Sequence, residues 1–206
     1  MPRLTKVDLP LGFMNYYKED IAIKKSTYVA ALSQAGIGAL ARHPFLPKRN
    51  PRANIHSLND YTSLSTTVET FITSDVSMNH SSLTVLNLSR FPNLTCVQIG
   101  DNCFKYVGEV KIIGLKKLTS VVIGKNSFNQ YKEEEPQNRH FYLKDCPALT
   151  TLKIGIWSFH DYDVCEIEHV DALESITIGK LEKISTNFNH ASLELSSTVI
   201  DACVMG

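Results

Sequence analysis

Leu94-Thr95-Cys96-Val97-Gln98-Ile99-Gly100 returns as Leu118-Thr119-Ser120-Val121-Val122-Ile123-Gly124, as Leu149-Thr150-Thr151-Leu152-Lys153-Ile154-Gly155 and as Leu173-Glu174-Ser175-Ile176-Thr177-Ile178-Gly179, at intervals of 24, 31 and 24 residues. Self-similarity at a fixed period marks an array in which each unit buries its apolar side against the units before and after it. Within each copy the fourth and sixth residues are apolar with one residue between them, the two-residue period of a strand that shows one face to a core. A second alternating pair precedes each copy: Leu86 and Leu88, Val110 and Ile112, Phe141 and Leu143, Cys165 and Ile167. Each unit is therefore expected to carry two extended segments rather than a strand and a long helix.

Other columns account for most of the remaining apolar residues. Phe91, Leu115, Cys146 and Val170 stand three residues before the first Leu of their copies. Pro92 and Pro147 follow at once, where the chain must turn and a ladder donor is dispensable. Phe104, Phe128 and Phe159 stand ten residues after the first Leu, with Asn102 and Asn126 at the ninth position and Trp157 in that place in the third copy. The glycine column from Gly100 to Gly179 closes each strand and is expected to supply a positive φ as the backbone leaves the sheet. Asn102 and Asn126 have the amide groups to satisfy backbone of adjacent turns.

This L-x-x-L-x-L-x-x-N-x-L/F pattern resembles the leucine-rich repeat, and the Ser127-Phe128 and Ser158-Phe159 variants are similar to the irregular BspA-like repeat proteins abundant in protists. The resemblance covers roughly residues 64 to 195. It implies a mostly β, short leucine-rich-repeat solenoid of about 24-residue coils, working as a recognition scaffold without catalysis. Three regions are expected: a basic, Pro-containing extension over 1–55, the solenoid over 56–195 and an irregular tail over 196–206.

The departures from the period mark edges and ends. The longer third interval includes Lys132-Glu133-Glu134-Glu135-Pro136-Gln137-Asn138-Arg139, which reads as a solvated loop at the edge of a coil. After Gly179 the Phe is missing from its place, and Leu193-x-Leu195 reads as the start of a coil that is not completed. An unpaired last coil would expose a sheet edge and permit end-to-end self-association.

Charge divides the chain unequally: residues 1–55 carry nine Lys or Arg against three acidic residues, the remainder twelve against eighteen, so that +6 and −6 cancel. A helix is expected over 26–42, opened by Ser26 and Thr27 and closed before Pro44. Its apolar run is too short and too interrupted by Ser33 and Gln34 to span a bilayer, which takes about 20 apolar residues. The first residues lack the apolar core of a secretory signal, and Asp8, Glu19 and Asp20 argue against a presequence. A cytoplasmic location is expected, with a mitochondrial one left open.

Little in the chain points to chemistry. Gly36-x-Gly38-x-x-Ala41 imitates a dinucleotide fingerprint, but Pro44, Pro47 and Pro51 follow where a βαβ unit would be needed. Of the five cysteines, Cys146 and Cys165 share columns with buried apolar residues, and no C-x-x-C pair exists, so reduced thiols in an intracellular setting are expected. His160, Cys165 and His169 match no common metal spacing. His160-Asp161 and Glu133 to Glu135 read as polar residues of edge loops, and no catalytic triad or carboxylate pair stands out. Neither enzyme activity nor a cofactor or metal is expected.

Binding is expected instead, through residues that point outward from the strands: Cys96, Ser120, Thr151 and Ser175 in one column, Gln98, Val122, Lys153 and Thr177 in another. Asp101, Lys125 and Ile156 extend this face, and Trp157 joins it where the regular Asn is lost. The partner is expected to be a protein. An alternative uses the basic extension, where Lys24-Lys25 and Lys48-Arg49-x-x-Arg52 would meet an acidic partner or membrane surface. Nucleic acid is not expected, because no aromatic residues interleave with that basic stretch.

Overall fold

Two ladders of apolar residues face each other across one core. The computed structural model describes residues 6–8, 21–24, 52–130, 138–179, 186–189 and 191–196. Its elements are β1 (Lys6–Asp8), β2 (Ile21–Lys24), β3 (Arg52–Ile55), α1 (Leu58–Ser63), β4 (Thr70–Thr73), β5 (Val85–Asn87), β6 (Cys96–Ile99), β7 (Glu109–Ile113), β8 (Ser120–Ile123), β9 (His140–Lys144), β10 (Thr151–Ile154), β11 (Val164–Glu168), β12 (Ser175–Ile178) and β13 (Ser192–Ser196). From β4 onward successive strands alternate between a seven-stranded sheet, β1-β12-β10-β8-β6-β4-β3, and a six-stranded sheet, β2-β13-β11-β9-β7-β5; β3 and β4 both belong to the first. Every pairing is parallel.

The leucine-rich-repeat solenoid expected from the resemblance is corrected by this arrangement. A leucine-rich repeat sets one strand per unit in a sheet and returns through helix or 3₁₀ turn. Here both extended segments expected in each unit are present, the second with a ladder of its own, and the result is a mostly parallel fold of the α/β type with two sheets, in which α1 is the one described helix. The physical cause lies in the second alternating pair. Val110 and Ile112 stand opposite Phe141 and Leu143, which stand opposite Cys165 and Ile167, and this register is as strict as that joining Ile99, Ile123, Ile154 and Ile178. All ten of these side chains are buried. A one-residue slip in either sheet would turn its apolar set to water, so both registers are held by the same core. The helix expected over 26–42 lies outside the described residues.

Between the sheets Phe104, Phe128, Phe159 and Phe188 stack in one file, with centroids 5.0, 4.6 and 5.0 Å apart and planes within 7° of parallel. That spacing follows the separation of paired strands, about 4.8 Å. Phe188 fills the place from which a Phe is missing after Gly179, displaced along the chain by the extra residues before it. Each of these phenylalanines has a left-handed backbone, as do Asn102, Asn126 and Trp157 two residues earlier in their turns. The expected source of positive φ was the glycine column, and for Gly100, Gly124 and Gly155 that expectation is corrected. A Cβ on Gly155 would lie 2.5 Å from the backbone of Gly124 and Lys125, and one on Gly124 would lie 2.6 Å from the backbone of Gly100. Close approach of neighbouring turns excludes a side chain there; in the column, positive φ is found at Gly179, at 71°.

Beside the phenylalanine file runs a buried polar ladder. Ser127 Oγ donates to the Gly100 carbonyl at 2.8 Å and accepts the Cys103 N–H at 3.1 Å; Ser158 Oγ donates to the Gly124 carbonyl at 2.7 Å and accepts the Ser127 N–H at 3.0 Å. Asn187 Nδ2 continues it by donating to the Gly155 carbonyl at 2.7 Å. Each side chain thus joins consecutive turns where the backbone leaves the sheet and its own ladder stops.

The two ends are finished differently. At the first, α1 opens on a capping box in which Ser57 Oγ accepts the Asp60 N–H and Asp60 accepts the Ser57 N–H. Tyr61 of α1 is buried, and its hydroxyl donates to the Asn87 carbonyl and accepts the Asn87 N–H, covering the edge of β5 with one side chain. At the other end the sequence leaves open whether the last coil is capped, and in the structure strands from the start of the chain pair there: Lys6–Asp8 with Ser175–Thr177, and Ile21–Lys24 with Leu193–Ser196. A sequence signal existed for this, since Leu4-x-x-Val7-x-Leu9 is the repeat phrase without its glycine.

Candidate functional site

The outer face of the seven-stranded sheet brings the predicted strand residues together. Cys96, Ser120, Thr151 and Ser175 are successive partners across β6, β8, β10 and β12, and Gln98, Val122, Lys153 and Thr177 form the parallel file. Gln98 is exposed and the other seven are half-buried, because neighbours one strand spacing away shield one another. Ser120 Oγ bonds Cys96 Sγ at 3.4 Å. Lys153 is the one described cation in these files.

Asp101 and Lys125 serve the stack itself. The Lys125 N–H donates to Asp101 Oδ1 at 2.8 Å, its ammonium lies 3.4 Å from Oδ2, and the Asp101 N–H donates in turn to Asp75 Oδ1 at 2.8 Å. The Asn ladder is also real and also structural: Asn126 Nδ2 donates to Asn102 Oδ1 at 2.7 Å. Ile156 and Trp157 stand where that ladder stops. The Ile156 carbonyl accepts the Asn126 N–H at 2.8 Å, while Trp157 takes a φ of 60° with 43% of its surface exposed.

A second outer face, on the six-stranded sheet, was not singled out from the sequence. It carries Glu109, Lys111, His140, Tyr142, Lys144, Glu166 and Glu168, which with Ile113 and Val164 alternate with the inward pairs. Its charges are matched locally. Lys111 lies 2.9 Å from Glu109, and Lys144 bridges Glu166 and Glu168. Burial alone would lower the Lys144 pKa, but its bonds to Glu166 and then Glu168 hold it above the ordinary lysine value. Tyr142 donates or accepts at 2.7 Å with His140 Nδ1 and stacks on that ring; burial first, and the nearby Glu166 and Glu109 charges next, raise its phenol pKa. Surface charge neutralised in this way leaves little field for a charged ligand.

Two expectations about polar loops are corrected. Arg139 is 5% exposed and Asp161 1%, and they form a buried ion pair; the Arg139 guanidinium also donates to the Val107 carbonyl and lies 4.6 Å over the Tyr162 ring. The Tyr162 hydroxyl donates to the same carbonyl at 2.7 Å, and burial drives its pKa well above the usual phenol range. Asp161 also accepts the Gln130 N–H. The insertion thus returns to the array through a buried clamp, where a solvated arginine and aspartate were expected. His160, also buried, has its Nδ1 2.7 Å from Thr186 Oγ1.

The thiols are placed for packing. Cys103, Cys146 and Cys165 are buried and unbridged. Burial pushes Cys146 up to about 11, and burial followed by the Glu166 charge drives Cys165 higher still, so neither supplies a thiolate nucleophile near neutrality. His169 pairs with Asp145 at 2.8 Å, away from His160 and its Thr186 partner. Among the described residues no group of three or more His, Cys, Asp or Glu side chains is placed to hold a metal.

Of the basic motif, Arg52 is exposed on β3 and Lys24 ends β2, while Lys25, Lys48 and Arg49 lie outside the described residues. Among the described residues no helix is long and apolar enough to cross a membrane. No protein-family model, curated protein or solved structure matches this chain.

Proposed function

We propose that this protein is a non-catalytic scaffold that binds another protein through the outer face of its seven-stranded sheet, with Trp157 as the anchor at the margin of that face. The observation that carries the reading is Trp157 itself. A bulky residue held at positive φ costs on the order of 1 kcal/mol, and the preceding turns place Asn102 and Asn126 there, a residue type that tolerates this backbone. Exposed Trp contributes heavily to interfaces, and the files of Cys96 to Ser175 and Gln98 to Thr177 present few charges to desolvate.

The test compares wild type with Trp157→Ala and with the double variant Gln98→Lys, Lys153→Glu. A protein partner captured by wild type is expected to be lost from both variants, while thermal unfolding and circular dichroism stay those of the parent. Unchanged capture by two folded variants would remove this face from the interaction.

A further inference from the structure

The strands β1 and β2 come from the start of the chain but stand after its last turn. β1 follows β12 in the seven-stranded sheet and β2 follows β13 in the six-stranded sheet, so together they make one more turn of the array out of order. Val7 stands in register with Ile176, and Leu193 and Leu195 stand in register with Ile21 and Ile23. Residues 25–51, a connection of 27 residues, join β2 to β3, which lies at the opposite end of the stack. Six strand spacings separate those ends, about 29 Å, well within the roughly 90 Å that such a connection reaches.

An interior turn is gripped on both sides, whereas among the described residues this one pairs on one side alone. Among the described residues β1 pairs with β12 and β2 with β13, over three and four residues. Extended segments that add to a sheet edge gain main-chain hydrogen bonds from the edge and specificity from alternate side chains. We infer that the edge formed by β12 and β13 is a strand-binding site, that its resident ligand is the strand pair β1 and β2 of the same chain, and that it accepts the same two strands from a second copy when the resident ones leave. Docking of a strand on its own chain is unimolecular and independent of concentration, so the docked state in one molecule dominates in dilute solution and exchange between copies grows with concentration.

Two measurements test this on the full chain. Asp8 and Thr177 are register partners, so Asp8→Cys with Thr177→Cys, in a background with Cys96→Ser and Cys203→Ser, is expected to form a disulfide within one chain when dilute. Covalent dimers between differently tagged copies are expected to appear as concentration rises. Lys153→Cys with Thr177→Cys, partners across β10 and β12, is the positive control for oxidation. In the second measurement, a fluorescent synthetic peptide of residues 4–24 is titrated onto wild type and onto Val7→Asp, whose own segment is disabled opposite Ile176. The variant is expected to bind the peptide at least tenfold more tightly, and a peptide carrying the same Val7→Asp change is expected not to bind. A missing Asp8–Thr177 disulfide where the control pair links, or a Val7→Asp chain that ignores the peptide while its array remains folded, overturns the proposal. An intramolecular disulfide with no dimers at any concentration overturns the exchange.

Discussion

Gly124 sits where no side chain has room: a Cβ would stand 2.5 Å from Asp101 Oδ1 and 2.6 Å from the backbone of Gly100. Gly→Ala at an unstrained site gains stability by restricting the unfolded chain, but here the new methyl meets backbone that two ladders hold in place. Gly124→Ala is therefore expected to cost about 1–3 kcal/mol in urea unfolding, and a neutral or stabilising result would show that adjacent turns can separate locally. Cys146 gives a pH prediction. Its thiol is raised from 9.0 to about 11 by burial, so the folded state holds the neutral form that the unfolded chain loses first. The stability this contributes is fully present below pH 9 and is lost as pH rises from there towards 11. Cys165 and Tyr162, raised by the same cause, extend the loss to higher pH. Denaturant midpoints measured across this window should fall with pH, and should fall less steeply in Cys146→Ala.

At the scale of elements, the turn after each strand of the seven-stranded sheet matters as much as the strand. Ser127 and Ser158 reach back to the glycine carbonyl of the preceding turn and receive an N–H from it. Both are fully buried, so removing one hydroxyl leaves donor and acceptor unpaired in a dry site. Ser158→Ala is expected to cost about 1–3 kcal/mol, with the amide of Ser127 losing hydrogen-exchange protection first. If that amide keeps its protection, the ladder is not what holds the turns together. The phenylalanine file alongside explains why these turns tolerate left-handed aromatic residues: the backbone cost at Phe128 is offset by stacking on two neighbours at 5.0 and 4.6 Å.

For the whole molecule, the order of strands dictates the order of stability. Each turn pairs with the turn before and the turn after, so an interior turn loses two interfaces on opening and a terminal turn loses one. Native-state hydrogen exchange should be slowest at Val121 of β8 and Leu152 of β10, faster at Ala53 of β3, and fastest at Val7 of β1. Uniform protection from β3 to β12 would mean that the array opens as one cooperative unit. The buried Arg139–Asp161 pair bears on the same question, since it ties the return of the insertion to the interior near Val107 and Tyr162.

The sequence alone determined which residues face inward and which strands become neighbours, because a repeated two-residue alternation admits one register that keeps Ile99, Ile123, Ile154 and Ile178 out of water. It also determined the outward files, which follow from the same alternation. The second alternating pair likewise announced a second extended segment in each unit, but the sequence did not disclose that three glycines are needed for close approach rather than for φ, or that Arg139 and Asp161 would be buried together. Those outcomes depend on distances between turns, and periodicity along a chain carries no information about how near two turns lie. Only the tertiary structure decided where the first residues go: β1 and β2 carry the same alternation as every other strand, and the open hydrogen bonds of β12 and β13 place them at the far end.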